Sequence, residues 1–382
     1  VSLKRSSRDY VCLCPFHSEK TPSCHISVGK QFFHCFGCGA GGDVITFVMK
    51  AENLEYIEAV RFLAQRAGMS MPDEAKNNDL SRLKARILEI NRMAARFFNQ
   101  TLMKDSRGEK GRLYFKSRQL SPKTITKYGL GYAPDEWRYL TDYLKSQGCR
   151  EDEIVAANLA RQSQKGGIYD SFRDRVMFPI IDLRGNVIAF GGRIIDGEGP
   201  KYLNSSDTPV FKKSRNLFSL NFAKRSDERR LILAEGYMDV ISLHQAGIDA
   251  AVAGCGTALT EHQARLISKS PVYLCYDSDE AGIKACARAE NIFRAIGGKV
   301  RVITIPHCKD ADEYIKKFGG EAFEKLIEKA RSFVEYQLDI LLSGADLNDV
   351  SQKIEIVERA AKIFAGIPNA VEREAYINTL SV

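Results

Sequence analysis

The stretch Val272-Tyr-Leu-Cys-Tyr-Asp-Ser-Asp-Glu-Ala-Gly282 sets the reading of the whole chain. A short apolar run ends in two carboxylates, Asp277 and Asp279, and a helix-forming sequence follows. A buried strand here would hold its last acidic side chains just beyond the C-terminal edge of a sheet, where open α/β sheets keep their ligands. Two aspartates leaving a strand can turn toward one hard cation. The plainer reading is that an Asp before a helix caps it. The stretch alone does not choose between the two, but its neighbours do.

From Arg230 onward the pattern is regular. Leu231-Ile-Leu-Ala234 predicts a strand ending at Glu235-Gly236, and Tyr237 to Gln245 a helix closed by Gly247. Ala250–Ala253 and Val300–Ile305 predict two more strands beside Val272–Tyr276, with helices over Thr260–Lys269 and Glu280–Ala295. Apolar runs alternating with helices predict a parallel sheet covered on both faces. In a right-handed fold of this kind the strand ends share one edge. Glu235, Asp277, Asp279, Asp310 and Asp312 then gather there, with Asp239 one helical turn beyond Glu235. So many carboxylates repel one another unless cations intervene. Magnesium suits them, being hard and content to keep waters and phosphate oxygens as ligands. Two such ions would serve the attack of a hydroxyl and the departure of pyrophosphate. The set of acids favours this reading over capping alone.

The charge distribution points the same way. Residues 81–230 carry 30 Lys+Arg against 17 Asp+Glu, whereas residues 231–382 carry 17 against 22. A basic block before an acidic one suggests a polyanion track that feeds a metal site, the alternative being a solvated lysine-rich surface. The block predicts a long helix over Leu80–Leu102, a second over Gly111–Arg118, a third opened by Ser121-Pro122, and a fourth from beyond Trp137 to Gly148. Asp170–Asp182, Arg184-Gly185-Asn186 and Val187–Arg193 read as strand, turn and strand. Pro200-Lys-Tyr-Leu-Asn-Ser205 and Phe211-Lys-Lys-Ser-Arg215 interleave cations with Tyr202, Phe211 and Phe218, the composition of a phosphate track with stacking surfaces.

The first 80 residues hold a different metal signature. Cys14-Pro-Phe-His17 and Cys35-Phe-Gly-Cys38 are separated by 17 residues, the spacing of a structural zinc site. Strands over Cys24–Val28 and Gln31–Cys35, joined by Gly29-Lys30, would hold the two pairs together. Cys12, Cys24, His25 and His34 read as non-ligands. Two amphipathic helices follow, over Asp43–Lys50 and Tyr56–Ala67. Ten cysteines in 382 residues do not suggest a disulfide scaffold, and the cluster among them points to a reducing compartment. No apolar run reaches the ~18 residues of a transmembrane helix.

Taken together, these motifs resemble the bacterial replicative DNA primases of the DnaG type over nearly the whole chain. Cys-Pro-Phe-His-x-Glu-Lys-Thr-Pro-Ser and Phe-His-Cys-Phe-Gly-Cys-Gly-Ala-Gly-Gly look like their zinc ribbon. Arg-Val-Met-Phe-Pro-Ile, Phe-Gly-Gly-Arg and Pro-Lys-Tyr-Leu-Asn-Ser look like their polymerase core. Glu235-Gly-Tyr-Met-Asp239 and Tyr276-Asp-Ser-Asp279 look like their TOPRIM subdomain, a fold shared with topoisomerases. The resemblance implies template-directed synthesis of short RNA primers from nucleoside triphosphates on single-stranded DNA. It implies catalytic metal binding by Glu235, Asp277 and Asp279, with Asp239, Asp310 and Asp312 completing a patch for two or more Mg²⁺ or Mn²⁺ ions. One structural Zn²⁺ falls to Cys14, His17, Cys35 and Cys38. Lys201, Tyr202 and Asn204 match positions that hold nucleotide phosphates. Arg118, Arg193, Lys213 and Arg215 match basic positions lining the template and nucleotide groove.

The expected architecture is multidomain α/β. A zinc-binding domain spans 1–71 and a linker 72–80. A mixed α+β basic subdomain spans 81–228, a Rossmann-like parallel-sheet TOPRIM subdomain 229–315, and a helical segment 316–382. The resemblance also implies a monomer in the bacterial cytoplasm, at replication forks and not in a membrane. The chain reads as an excerpt, with a few N-terminal residues missing and the helicase-binding domain lying beyond its end. Ser278 and Gln119 stand where the family usually has Gly, Cys24 where it has an aromatic and Cys255 where it has an aliphatic. Two other readings remain. Another TOPRIM enzyme, a nuclease or topoisomerase, would leave the zinc ribbon and the Pro-Lys-Tyr-Leu-Asn-Ser motif unexplained. A non-catalytic binder of single-stranded DNA would have no reason to concentrate acids at strand ends.

Overall fold

In the computed structural model, residues 2–380 are described apart from 7, 8, 18, 53, 70–73, 344–348 and 368. The N-terminal unit is a five-stranded antiparallel sheet in chain order, Lys4–Ser6, Asp9–Cys12, Cys24–Ser27, Phe32–Cys35 and Gly41–Gly42. Cys24 lies opposite both Cys12 and Cys35, so the knuckle residues flank one strand pair. The helices Val44–Glu52 and Tyr56–Arg66 follow. The unit's core is small, four buried cysteines and Phe33 packed with Phe16 and Phe47. So little apolar area does not hold a fold by itself, which is the usual circumstance of a zinc-dependent module.

A helix over Glu74–Lys104 leads into the basic block. It begins six residues before Leu80, so most of the stretch expected as a linker is helical. Residues 72 and 73 of that stretch lie outside those described. Glu74, Ala75 and Lys76 are good helix formers. Being mostly polar, the segment lacks the apolar period that marks a helix in sequence. Farther along, Ile87, Ile90, Ala94 and Phe98 bury one stripe against Leu140, Leu144, Met177 and Phe190. The block's sheet is antiparallel, in the order Tyr202–Asn204, Val187–Ile194, Arg175–Ile181, Gly131–Ala133. Its register sets Gly191 opposite Asn204 and Arg193 opposite Tyr202, which brings two separate sequence motifs side by side.

The second sheet has six strands, in the order Leu217–Phe218, Ala251–Gly254, Leu231–Ala234, Val272–Cys275, Val300–Val302, Arg331–Ser332. The four inner strands are parallel, as expected, and the two edges are antiparallel. Leu231–Ala234 is buried throughout, and successive residues face alternate cores. Ile232 and Ala234 pack with the helix Tyr237–Gln245, and Leu233 packs with Ala264, Ala289 and Phe293 of the opposite face. The boundary expected after residue 315 falls inside a helix, Ala311–Glu328, which bends at Gly319 with φ 79°. The sheet continues to Ser332 because Phe323 and Ile327 belong to its core.

Phe115, Tyr128 and Phe178 of the basic block share that core with Tyr237 and Ile241. The two sheets therefore share one core beside the cleft between them. The helices Phe333–Leu342, Val350–Ala365 and Ala370–Leu380 follow. They form a separate cluster of Leu338, Leu341, Ile356, Ala360, Phe364 and Ile367. Among the described residues, all ten cysteines are free and no helix is long and apolar enough to cross a membrane.

Candidate active site and zinc centre

At the N-terminal knuckles, donor atoms of Cys14, His17, Cys35 and Cys38 all lie within 4.8 Å of one another. Cys14 and Cys38 Sγ atoms are 3.7 Å apart, and Cys35 Sγ is 3.6 Å from His17 Nδ1. Three soft thiolates and one imidazole in a closed group are the donor set of structural zinc. Cys12 and Cys24 are buried beside the group but outside it. His34 lies on the opposite strand face and packs edge-on to Phe36.

Sequence reasoning left Glu19 without a role. Its carboxylate accepts from the backbone N–H of Cys14 at 2.6 Å and from the Ser23 hydroxyl, and lies 3.3 Å from His17 Nε2. A carboxylate on the far ring nitrogen fixes the histidine tautomer and leaves Nδ1 for the metal. The Cys-Pro-Phe-His-x-Glu spacing was the available signal.

The strand-end acids line one cleft of about 400 Å³ with Arg118, Arg193, Lys201, Tyr202 and Asn204. Glu235, Asp239, Asp277, Asp279, Asp310 and Asp312 are all part of its wall. Capping and exposure coexist here. Asp279 accepts from the Gly282 N–H at 2.9 Å and Asp310 from the Glu313 N–H at 2.8 Å, one oxygen each. Gly282 is required because a Cβ there would overlap the backbone of Asp277. Glu235 accepts from the Asp277 N–H at 3.1 Å, which ties the first strand's acid to the third's.

Two of the six acids are already engaged. Asp239 accepts the N–H groups of Gly236 and Asp312, both at 3.1 Å. Asp312 accepts from Arg118 at 2.9 Å, from Lys316 at 2.6 Å and from the Ser242 hydroxyl. Of the residues expected to gather round cations, Asp312 therefore faces protein donors on both oxygens. Glu235, Asp277, Asp279 and Asp310 keep free lone pairs. Among the described residues these carboxylates do not converge as closely as the zinc group does. That spacing suits an ion that keeps part of its water shell.

The electrostatics show the strain of gathering the acids. Burial, then Glu235 and Asp310, push the Asp277 carboxyl up to about 6, against the pull of Lys309 at 4.0 Å. Burial and Asp310 raise Asp239 to about 8. A bound cation would relieve both.

The cationic wall faces them. Arg193 lies over the Tyr114 ring at 4.8 Å and donates to its hydroxyl, while its buried Nε has no partner among the described residues. Lys201 is exposed and paired with no carboxylate among the described residues. Tyr237 donates to Asn204 Oδ1 at 2.8 Å, so the Asn204 amide NH₂ lies against Gly256, where a Cβ would overlap it. Gly191 likewise leaves room for the Tyr237 ring.

Lys213 and Arg215 do not line this cleft. They sit on a short 3₁₀ turn, and Arg215 pairs with Glu55 of the N-terminal unit at 2.9 Å. Tyr114 and Lys309 were missed in sequence, since neither belongs to a metal or phosphate motif. Gln119 adopts φ 58°, the left-handed conformation that glycine would take at less cost. Ser278 has no such backbone and accommodates its Cβ without strain.

Four families match successive parts of the chain. They are the CHC2 zinc finger over residues 1–79, the N-terminal domain of the DNA primase catalytic core over 97–224, a Toprim-like domain over 232–315 and the DnaB-helicase binding domain of primase over 334–381. The last overturns the expectation that the helicase-binding segment lies beyond the chain. Its three helices bury a small apolar cluster, and none of their described residues joins the zinc group or the acidic cleft, so periodicity reveals helices and nothing of their partner.

The DNA primase of Clostridium acetobutylicum is 43% identical over 389 residues, covering all of this chain and 64% of that one. The DNA primase of Pasteurella multocida is 36% identical over 393 residues, covering all of this chain and 67% of that one. The chain thus spans about two thirds of the length of the curated relatives it matches. The crystal structure of the zinc-binding and RNA polymerase domains of Aquifex aeolicus primase superimposes with TM-score 0.64 at 36% identity. That match covers 98% of this chain and 90% of the other. A zinc finger, a primase core and a Toprim domain in this order, with identity at this level along the full chain, place the protein in the bacterial DnaG-type primase family.

Proposed function

We propose that the chain is a DNA primase, a nucleotidyltransferase that copies single-stranded DNA into short RNA. The carrying observation is one cleft in which free carboxylates at parallel strand ends face unpaired cations and an amide. Divalent cations, Mg²⁺ or Mn²⁺, held by Glu235, Asp277 and Asp279 with Asp310 close by, would neutralise charge developing on the α-phosphate and departing pyrophosphate. The chain's own groups do the rest. Lys201, the Arg193 guanidinium and the Asn204 amide bind the triphosphate. Tyr237 holds Asn204, and Tyr114 holds Arg193 in place. Arg118, fixed on Asp312, keeps positive charge at the cleft rim, where the template strand passes. The zinc ribbon engages that strand, and Arg215 and Lys213 act where ribbon and core meet. The helices of residues 334–381 would contact the replicative helicase. All of this belongs to the bacterial cytoplasm.

The deciding experiment is incorporation of labelled ribonucleotides on an unprimed single-stranded template, for the native chain and Asp277→Asn side by side. RNA from the native chain alone is expected. Equal product from both would remove the acids from the site, and cleavage of the template in place of synthesis would point to a nuclease.

A further inference from the structure

Beside the acidic cleft the sheet edge opens into a second cavity of about 270 Å³. It shares Glu235, Gly254 and Gly256 with the cleft and continues beneath the helix Glu280–Ala295. The two spaces lie on opposite faces of the sheet. Tyr237 and Met238 of the cleft belong to one core, and Leu233 and Ala289 of the cavity to the other. The strand order explains the opening. Leu231–Ala234 sits between Ala251–Gly254 and Val272–Cys275. The helix after the central strand covers one face and the helices after its two neighbours cover the other, and a crevice forms at such a switch point.

The linings differ in chemistry. The cleft carries Arg118, Arg193, Lys201 and Lys309. The cavity has the ring of Tyr276, the apolar side chains of Leu259, Ala285 and Ala289, and one cation at its mouth, Arg288. Arg288 is exposed and held by no carboxylate among the described residues.

Phosphoryl transfer sets attacking and leaving oxygens on opposite sides of phosphorus. The highly charged pyrophosphate end of an incoming triphosphate belongs with the four cations of the cleft. The attacking hydroxyl then arrives from the cavity side of Glu235. We propose that this cavity seats the 3′-terminal nucleoside of the nascent RNA, with its base or ribose against Tyr276 and the apolar wall and its 5′-side phosphate on Arg288. This inference rests on the primase reading. In the step it serves, the 3′ oxygen forms a bond to the α-phosphorus. The bond from that phosphorus to the bridging oxygen breaks, pyrophosphate leaves with the electron pair, and the hydroxyl proton passes to water in the open cleft.

The test uses the full chain, a template, a dinucleotide RNA primer and one incoming nucleotide. Ala285→Leu fills the cavity from a partly exposed position and is expected to raise KM for the dinucleotide roughly tenfold, with under about twofold change for the incoming nucleotide. Lys201→Ala is expected to do the reverse. Arg288→Gln, a surface change, repeats the Ala285→Leu pattern more weakly and keeps the test open if that variant fails to fold. A dinucleotide ending in 3′-terminal 4-thiouridine, crosslinked without turnover, is expected to label Tyr276 or residues 257–259 and 285–289. Equal KM changes for both substrates, or crosslinks confined to the cationic wall, would overturn the inference while leaving the primase reading intact. A native chain that incorporates nothing would instead defeat the primase reading, and the crosslink would still show whether the cavity takes an RNA end.

Discussion

The zinc centre and the acidic cleft are both clusters of metal-ligating side chains, yet they are built on opposite plans. The zinc donors sit within 4.8 Å of one another, and Glu19 supports the histidine from behind. Nothing is left over for a substrate. The carboxylates are spread along a sheet edge, and several serve as caps or ion-pair partners while a lone pair stays free. A closed soft site stabilises a fold with a small core. An open hard site keeps room for water and phosphate at a cost in mutual repulsion, which the surrounding core must bear.

The sharpest way to break this comparison is to remove a zinc ligand. Structural zinc contributes about 10–16 kcal/mol of folding energy in small modules, far more than the ribbon's core supplies. Cys35→Ser is therefore expected to release zinc and unfold the ribbon while the parallel sheet stays folded. Metal content and hydrogen exchange would show it, through lost protection in Phe32–Cys35 and retained protection in Leu231–Ala234. Retained ribbon protection without zinc would make the centre something other than structural.

In the open site the same kind of change should leave structure alone. Asp277→Asn is expected to lower nucleotide incorporation by about 10²–10³-fold, the usual loss when one electrostatic partner of a transition state is removed, with zinc content unchanged. The same carboxylates predict a pH dependence in metal-free protein. Asp277 and Asp239 titrate near 6 and 8 in the fold, above the ordinary 3.8. Between those values the folded state binds more protons than the unfolded, so stability falls as pH rises. Chemical denaturation from pH 4 to 8 in chelator should show this decline, and Asp277→Asn should make it shallower. An unchanged slope would mean that neither burial nor the neighbouring acids raise Asp277 in the fold.

How much of this was legible in sequence follows from how each signal arises. The inner strands are continuous apolar runs because helices cover both faces, and their acids follow at once, so Glu235, Asp277 and Asp279 could be read directly. The edge strands Leu217–Phe218 and Arg331–Ser332 have two residues each, too few to show a period. Tyr114 and Lys309 gain their roles from contacts across the fold. Arg215 had the composition of a groove residue and turned out to pair with Glu55. Composition reports charge and not its neighbour. Glu19 lay inside a quoted motif, yet its role depends on the fold of the knuckle.

Glu19→Gln sharpens the comparison at intermediate size. The amide keeps shape but loses the charge that orients His17. Zinc affinity is expected to fall about 10–100-fold, as for carboxylates behind other metal-bound histidines, while Asp277-dependent synthesis on a pre-annealed primer persists. Competition with a chelating dye measures the first and primer extension the second.

The smallest expected effect compares one backbone feature in the two regions. Beside the zinc knuckle, Gly39 takes φ 70° in open space. Beside the acidic cleft, Gln119 takes φ 58° just after Arg118, and its carbonyl accepts from Gln245 at 2.9 Å. Left-handed backbone costs an ordinary L-residue roughly 1–2 kcal/mol, and glycine escapes most of it. Gln119→Gly should therefore stabilise the core by about 1 kcal/mol after allowance for the freer unfolded chain, and Gly39→Ala should destabilise the ribbon by about as much. Denaturation midpoints, followed separately in core and ribbon, check both. Arg118 is held on Asp312 by its own ion pair, so synthesis should be unaffected by Gln119→Gly. If synthesis falls, the strained turn itself aims Arg118, and the strain belongs to the working site.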